Sequence, residues 1–381
     1  MQGPPEPSNP ENPDGSDHRP LLRPRSRGAA ATGDLQSPAR RGRSIAGWII
    51  AGTLAVAVLV PTHFVVESAG PALNTIGKVE GTQVLSITGK PTFPTSGELD
   101  MTTVYVQGGG QKRLGFFSVL YGWASPQQDV LPEEMVLPRG TTTAEQSQQN
   151  TVMMDDSQQL STAAALNELD VPFTQHLLVA GFATGQNSKA LQVGDQLVSI
   201  NGVKVTTLEK LKEQLQAAGE KPSELEILRT SKPMSVTVGT TAGEGGQRQL
   251  GILLGNGFDF PVDVKFGLEN VGGPSAGMMF ALAIVDQLTE GEMTGGKHFA
   301  GTGAITVEGQ VQPIGGIAQK MVGAKGNGAQ VFLAPEANCP DVVGRVPAGL
   351  DVVKVATLEE ARAAVEGIGG GADPKSFPTC Q

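Results

Sequence analysis

The stretch Gly272-Gly273-Pro274-Ser275-Ala276-Gly277-Met278-Met279-Phe280-Ala281-Leu282-Ala283-Ile284, followed at 300–338 by AGTGAITVEGQVQPIGGIAQKMVGAKGNGAQVFLAPEAN, decides how this chain is read. Two glycines and a proline make a turn, and an apolar run follows at once. Ser275 therefore stands at the head of a helix predicted over Ser275–Leu288. Phe299–Val307 reads as a strand ending in the turn Glu308-Gly309, and Ile317–Lys325 as a second helix. Val331–Ala334 and Val352–Val355 are short strands, and Leu358–Glu366 is a final helix. Strands alternating with helices over 248–366 predict an α/β (α+β) domain of about 120 residues, large enough for its own core.

Gly273-Pro274-Ser275-Ala276-Gly277 fits the G-x-S-x-G nucleophile pattern of α/β-hydrolases. That chemistry also needs an acid and then a histidine downstream, yet His298 is the one histidine after Ser275. The 106 residues that remain are too few for the rest of such a fold. A lysine base fits better. On a helix over 317–325 the face of Lys320 carries Gly316, Ile317, Gly323 and Ala324, all small or apolar, and no carboxylate. Desolvation without an acidic partner lowers a lysine pKa, which a lysine base requires. Ser275 at a helix start also places the backbone N–H groups of Ser275 and Ala276 where an oxyanion would form.

Working outward, 161–240 forms a small, mostly β module. His176–Phe182, Leu197–Ile200, Val203–Val205, Leu225–Arg229 and Met234–Val238 are strands, and Thr207–Ala217 has helical spacing at Leu208, Leu211 and Leu215. Residues 67–160 are expected to be a β-rich region and linker. There Met101–Gln107 and Leu114–Tyr121 form a hairpin about Gly108-Gly109-Gly110, 141–159 is a linker, and a helix covers Asp156–Leu169. Residues 367–381 are a C-terminal tail.

Ile45–Val66 is uncharged apart from a neutral His63, and about 20 apolar residues cross a hydrocarbon core of about 30 Å. One N-terminal transmembrane helix over 45–66 is the expectation. Arg40, Arg41 and Arg43 put residues 1–44 in the cytoplasm, as a disordered tail, and the rest outside the cell membrane. Residues 1–44 hold seven Arg against five acids, about +2, while the whole chain has a formal net charge of −10. That acidity excludes nucleic acid as a partner, since nucleic-acid binding needs a basic footprint. The two cysteines, Cys339 and Cys380, both lie beyond the apolar run and could pair in an oxidising space.

Two resemblances sharpen the reading. LQVGDQLVSINGVKV at 191–205 resembles the core of PDZ domains, which add extended peptides to a sheet edge. The usual Gly-Leu-Gly-Phe carboxylate loop is not visible in this module. The two blocks quoted first resemble the proteolytic domain of Lon proteases, where the Ser of G-P-S-A-G and the Lys after P-I-G-G form a Ser-Lys dyad. That resemblance implies Ser275 as nucleophile, Lys320 as base and Thr302 of the T-G-x-I-T strand as a supporting residue. Together with the apolar run, it implies a bacterial membrane-anchored PDZ–Lon protease that needs no cofactor or metal. Such an enzyme would cut flexible peptides or exposed segments of membrane or exported proteins. Lon-like rings suggest a homo-oligomer by analogy. Two departures stand out: no G-x-x-x-x-G-K-[ST] phosphate loop occurs in the sequence, and Gly272 replaces an acid that many Lon enzymes place three before the serine. The alternative is a non-catalytic PDZ scaffold that binds peptides at the membrane.

Overall fold

A computed structural model of the chain describes residues 45–54, 60–110, 112–137, 142–268 and 271–381. The expected tail over 1–44 lies outside the described residues. Residues 45–54 are helical and belong to a unit separate from Val56–Gln381. The span expected over 45–66 is corrected at its far end: Phe64, Val65 and Val66 open a β-strand, and Val65 and Val66 are buried. A uniformly apolar run has no period to separate helix from buried strand, so the sequence alone did not mark that change. Among the described residues, no helix is long and apolar enough to cross a membrane.

In the larger unit the main elements are, in order, β1 (Phe64–Asn74), β2 (Glu98–Gln107), α1 (Phe116–Ala124), β3 (Asp129–Pro132) and α2 (Thr143–Glu168). Then come β4 (Thr174–Phe182), β5 (Gln196–Ile200), α3 (Leu208–Ala218), β6 (Ser223–Arg229), β7 (Lys232–Val238) and β8 (Ile252–Asp259). The chain ends with α4 (Gly277–Leu288), β9 (His298–Gly301), α5 (Ile317–Gly326), β10 (Val331–Pro335), β11 (Asp351–Val355) and α6 (Leu358–Gly369).

One mixed sheet runs β11-β10-β9-β2-β1-β3. β11, β10, β9 and β2 are parallel, while β1 is antiparallel to both β2 and β3. Three strands of the 67–160 region are thus part of the C-terminal sheet, and that region is no separate layer. The expected hairpin is also corrected. β2 pairs with β1 and β9, and most of Leu114–Tyr121 is helix α1, held by Val119 and Gly122 on its buried face. From Thr143 onward the expected 141–159 linker is likewise helix. Thr142 accepts from Glu145 N–H at 3.2 Å, and the Glu145 carboxylate accepts from Thr142 N–H at 2.7 Å. This capping box starts α2 well before Asp156 despite a Gln- and Thr-rich, weakly hydrophobic composition.

The second sheet, β7-β6-β5-β4-β8, is antiparallel and carries its own core of Leu177, Val179, Leu197, Ile200, Leu211, Leu215, Leu225 and Ile227. β8 pairs along the length of β4. The boundary drawn at 248 is therefore moved: β8 belongs to this module.

Helix α4 is buried from Gly277 to Asp286. It packs with Leu99, Met101, Phe299 and Leu333 of the sheet, with Met154 and Leu166 of α2, and with Val365 and Ile368 of α6. Each fully buried Met, Phe, Leu, Ile or Val there contributes about 1.5–3 kcal/mol. Successive strand residues point to opposite faces. Phe299 and Leu333 join the α4 core, while Ala300 and Phe332 join Ile317, Met321 and Ala324 of α5. Helices α4 and α5 therefore flank opposite faces of one sheet, and they can meet only past the end of β9.

Candidate active site

That meeting point is where β9 stops. The strand ends at Gly301, where a Cβ would fall 2.7 Å from Met279 Sδ, and Thr302 and Gly303 follow. Ser275 approaches from the α4 side and Lys320 from the α5 side.

The turn carrying Ser275 is clasped by α2. Gly273, at φ 89°, donates its N–H to Asn150 O at 2.9 Å, and Ser157 Oγ donates to Pro274 O at 3.0 Å. A Cβ on Gly272 would lie 2.8 Å from Asn150 Cβ, so Asn150 occupies the space beside that departure from the Lon pattern. The Ser275 carbonyl accepts from Gly303 N–H at 2.8 Å and from Thr302 Oγ1 at 3.0 Å. Gly277 and Met278 N–H are bonded to Pro274 O and Gly303 O. Among the described residues, no backbone hydrogen bond uses the N–H of Ser275 or Ala276.

Lys320 sits in the first turn of α5, behind a left-handed N-cap at Gly316 (φ 67°). Asn338 holds the preceding loop by accepting from Ile314 N–H and donating to Ile314 O, both at 2.9 Å. The lysine is 2% exposed; its Nζ lies 2.8 Å from Ser275 Oγ and 2.9 Å from Thr302 Oγ1. Burial pushes its pKa down to about 7.

One carboxylate opposes that shift. Glu67 of β1 raises the Lys320 pKa, and its own pKa is raised by burial and then by Asp129. A Cβ on Gly316 would come 3.3 Å from Glu67 Oε2, so the carboxylate lies against the start of α5. The lysine face is free of acids along its own helix, as read, but not across the sheet. Glu67 was missed because the pairing of β1 is long-range, Asn150 because its part of α2 was read as linker, and Ser157, within the expected helix, because its bond to Pro274 is also long-range. The capping box at Thr142 and Glu145 was the available signal for Asn150.

Ser275, Ala276 and Lys320 line a cleft of about 420 Å³ with Leu73, Met101, Val104, Met154 and Val271. His298 is not among its lining residues; its Nε2 lies 2.7 Å from Asp100 Oδ2, away from any Ser-His pairing. Cys339 and Cys380 are joined by a disulfide.

Residues 257–365 match the Lon protease (S16) C-terminal proteolytic domain, and 188–229 match the PDZ domain. Similar relatives include the Lon protease of Roseiflexus castenholzii, 40% identical over 84 residues, covering 22% of this chain and 10% of that protein. The Lon protease of Lachnoclostridium phytofermentans is 37% identical over 105 residues, 27% of this chain and 13% of its own. Lon protease 1 of Sorangium cellulosum is 38% identical over 108 residues, 28% and 13% respectively. The chain thus spans about a tenth of the length of these curated relatives. A solved PDZ domain of an SdrC-like protein from Listeria monocytogenes aligns with 21% of this chain and 85% of its own, at 13% identity and TM-score 0.19. The chain carries a Lon-type S16 proteolytic domain together with a PDZ domain.

Proposed function

We propose that this chain is a membrane-anchored serine endopeptidase in which Ser275 attacks the peptide carbonyl and Lys320 is the general base. The observation that carries this reading is the 2.8 Å approach of Lys320 Nζ to Ser275 Oγ in a site where burial brings the lysine pKa to about 7. An ordinary lysine is only about 0.1% neutral near pH 7.5, whereas one with this pKa is mostly neutral. The amine takes the Oγ proton as Oγ bonds to the carbonyl carbon, then returns it to the departing amine. Water repeats the sequence to release the acyl group. The N–H groups of Ser275 and Ala276 meet the developing oxyanion.

The apolar cleft suits one apolar side chain beside the scissile bond and admits an extended chain rather than a folded domain. Flexible peptides and exposed segments of membrane or exported proteins fit that entry. β8, at the edge of the PDZ sheet, offers strand addition for such segments. The arginines before the apolar run favour a cytoplasmic N-terminus, and the Cys339–Cys380 disulfide favours an oxidising compartment for the catalytic unit. A homo-oligomer rests on analogy with Lon-like rings.

The test is turnover of fluorogenic peptides by the purified chain. Ser275→Ala, Lys320→Met and Lys320→Arg should each be inactive, since a guanidinium does not release its proton at these pH values. The Ser275→Ala/Lys320→Met double variant should be no worse than either single one. Turnover by folded Lys320→Met would assign the base to another group. Peptide binding without turnover by the wild-type chain would favour a scaffold.

A further inference from the structure

Helix α1 reads FFSVLYGWA and has no charged residue; of its nine residues, Val119 and Gly122 are the buried ones. The outward side inverts what a surface helix normally shows. Phe116, Phe117, Leu120, Tyr121 and Trp123 are exposed by 41, 39, 44, 69 and 58%. Single exposed apolar side chains are ordinary, but five large ones on one short helix form a patch that calls for a cover.

The position of the helix says what covers it. Pro61 bridges Gly115, the residue before α1, and Thr62 donates both N–H and Oγ1 to Leu114 O at 2.9 Å. At the other end, the Trp123 ring packs edge-on to Phe64 with centroids 5.6 Å apart. Both ends of α1 are thus pinned to the residues that directly follow the uncharged run Ile45–Val60. The composition fits the same boundary, because Tyr and Trp pair an apolar body with a polar tip that headgroups and water solvate. Lys112, exposed, precedes the helix and complements anionic headgroups, while Arg113 beside it lies 3.9 Å from Glu133.

We propose that α1 lies in the plane of a lipid bilayer surface, with Phe116, Phe117, Leu120, Tyr121 and Trp123 in the headgroup–acyl boundary. The proposal rests on the membrane reading above and adds a second contact to it. β1 begins at Phe64 beside Trp123 and carries Glu67 beside the start of α5. One strand therefore joins the lipid contact to the active site and fixes the height of the site above the bilayer.

Trp48 and Trp123 are the two tryptophans of the chain, which makes the test direct. Full-length Trp48→Phe protein is reconstituted into phosphatidylcholine–phosphatidylglycerol vesicles whose acyl chains carry bromine near the headgroup. Trp123 emission should fall about twofold against unbrominated vesicles, as expected for a ring inserted at the interface. Full-length Trp123→Phe protein reports Trp48 in the same vesicles. Quenching of Trp48 without quenching of Trp123 overturns the interfacial helix and leaves the anchor standing. Quenching of Trp123 alone supports the helix and removes the anchor, and quenching of neither overturns both. Unquenched Trp123 with copies crosslinking through α1 would overturn the proposal in favour of a contact between copies.

Discussion

Thr302 Oγ1 stands 2.9 Å from Lys320 Nζ while its hydroxyl donates to the Ser275 carbonyl at 3.0 Å. Its one hydrogen is committed, so Thr302 can only accept from the amine. A neutral amine held in this way directs a hydrogen at Thr302 and leaves its lone pair for the Ser275 hydroxyl. Thr302→Val keeps the shape and removes the acceptor. kcat should fall about 10- to 100-fold with KM little changed, consistent with lost orientation of a general base. Thr302→Ser should recover most of the loss; a loss in Thr302→Ser with little or none in Thr302→Val would assign Thr302 a packing role.

The Cys339–Cys380 bridge spans a sequence separation of 41, and Cys339 directly follows Asn338, which clasps the loop leading to Lys320. Closing a loop of that length stabilises by about 4 kcal/mol in the chain-entropy model. Urea unfolding followed with and without reductant should show a loss of that order, and Cys380→Ser should reproduce it. An unchanged midpoint, or free thiols in the unreduced protein, rejects the bridge.

β8 is hydrogen-bonded to β4 on one side and ends the sheet on the other. If extended substrates add there, the outward-facing amides of Ile252–Asp259 should gain protection in hydrogen exchange when peptide is present. Residues of β7, at the opposite edge, serve as the internal control. Unchanged protection along β8 would remove the steering role of this module.

Local order was legible around Ser275 and Lys320, where a turn leads into a helix, but not about Gly108-Gly109-Gly110, where the expected hairpin partner is helix α1. The head of α4 and the Gly316–Lys320 segment were each read from residues within about ten positions of one another, whereas the strand read as Phe299–Val307 stops at Gly301 and leaves Thr302 past its end. Long-range pairing left no such trace. The insertion of β1 and β2 beside β9, and with it the approach of Glu67, depends on strands about 200 residues apart in sequence. The first half of α2 was hidden by polar composition, since before Ser161 it buries only selected positions such as Met154 and Ser157. The packing of α5 also changes what can be tested. A Cβ on Gly323 would lie 2.7 Å from Gly70 O, so an acid placed there would displace β1 before it tuned the lysine.

Glu67 offers the cleaner probe of that lysine. Burial lowers the Lys320 pKa to about 7, and Glu67 pulls in the opposite direction. Wild-type activity should therefore rise with pH through about 7 as the amine becomes neutral. Glu67→Gln removes the opposing charge, so the lysine pKa falls further and the acidic limb moves to lower pH. Stability follows the same proton. The folded pKa lies below the unfolded value, so between the two the unfolded chain binds more protons and stability rises with pH. The cost of burying the ammonium is fully present below about pH 7 and is relieved as pH climbs towards the unfolded lysine value. Lys320→Met abolishes that cost and gives up two hydrogen bonds, so it should stabilise by about 2 kcal/mol near pH 6. The advantage should shrink steadily by pH 9 to 10, where the wild-type lysine is already neutral in the folded state (roughly two pH units above its pKa). An acidic limb that stays in place or moves to higher pH in Glu67→Gln would show that Glu67 does not act on Lys320. A Lys320→Met advantage that is flat with pH would show that the buried lysine carries no proton to lose.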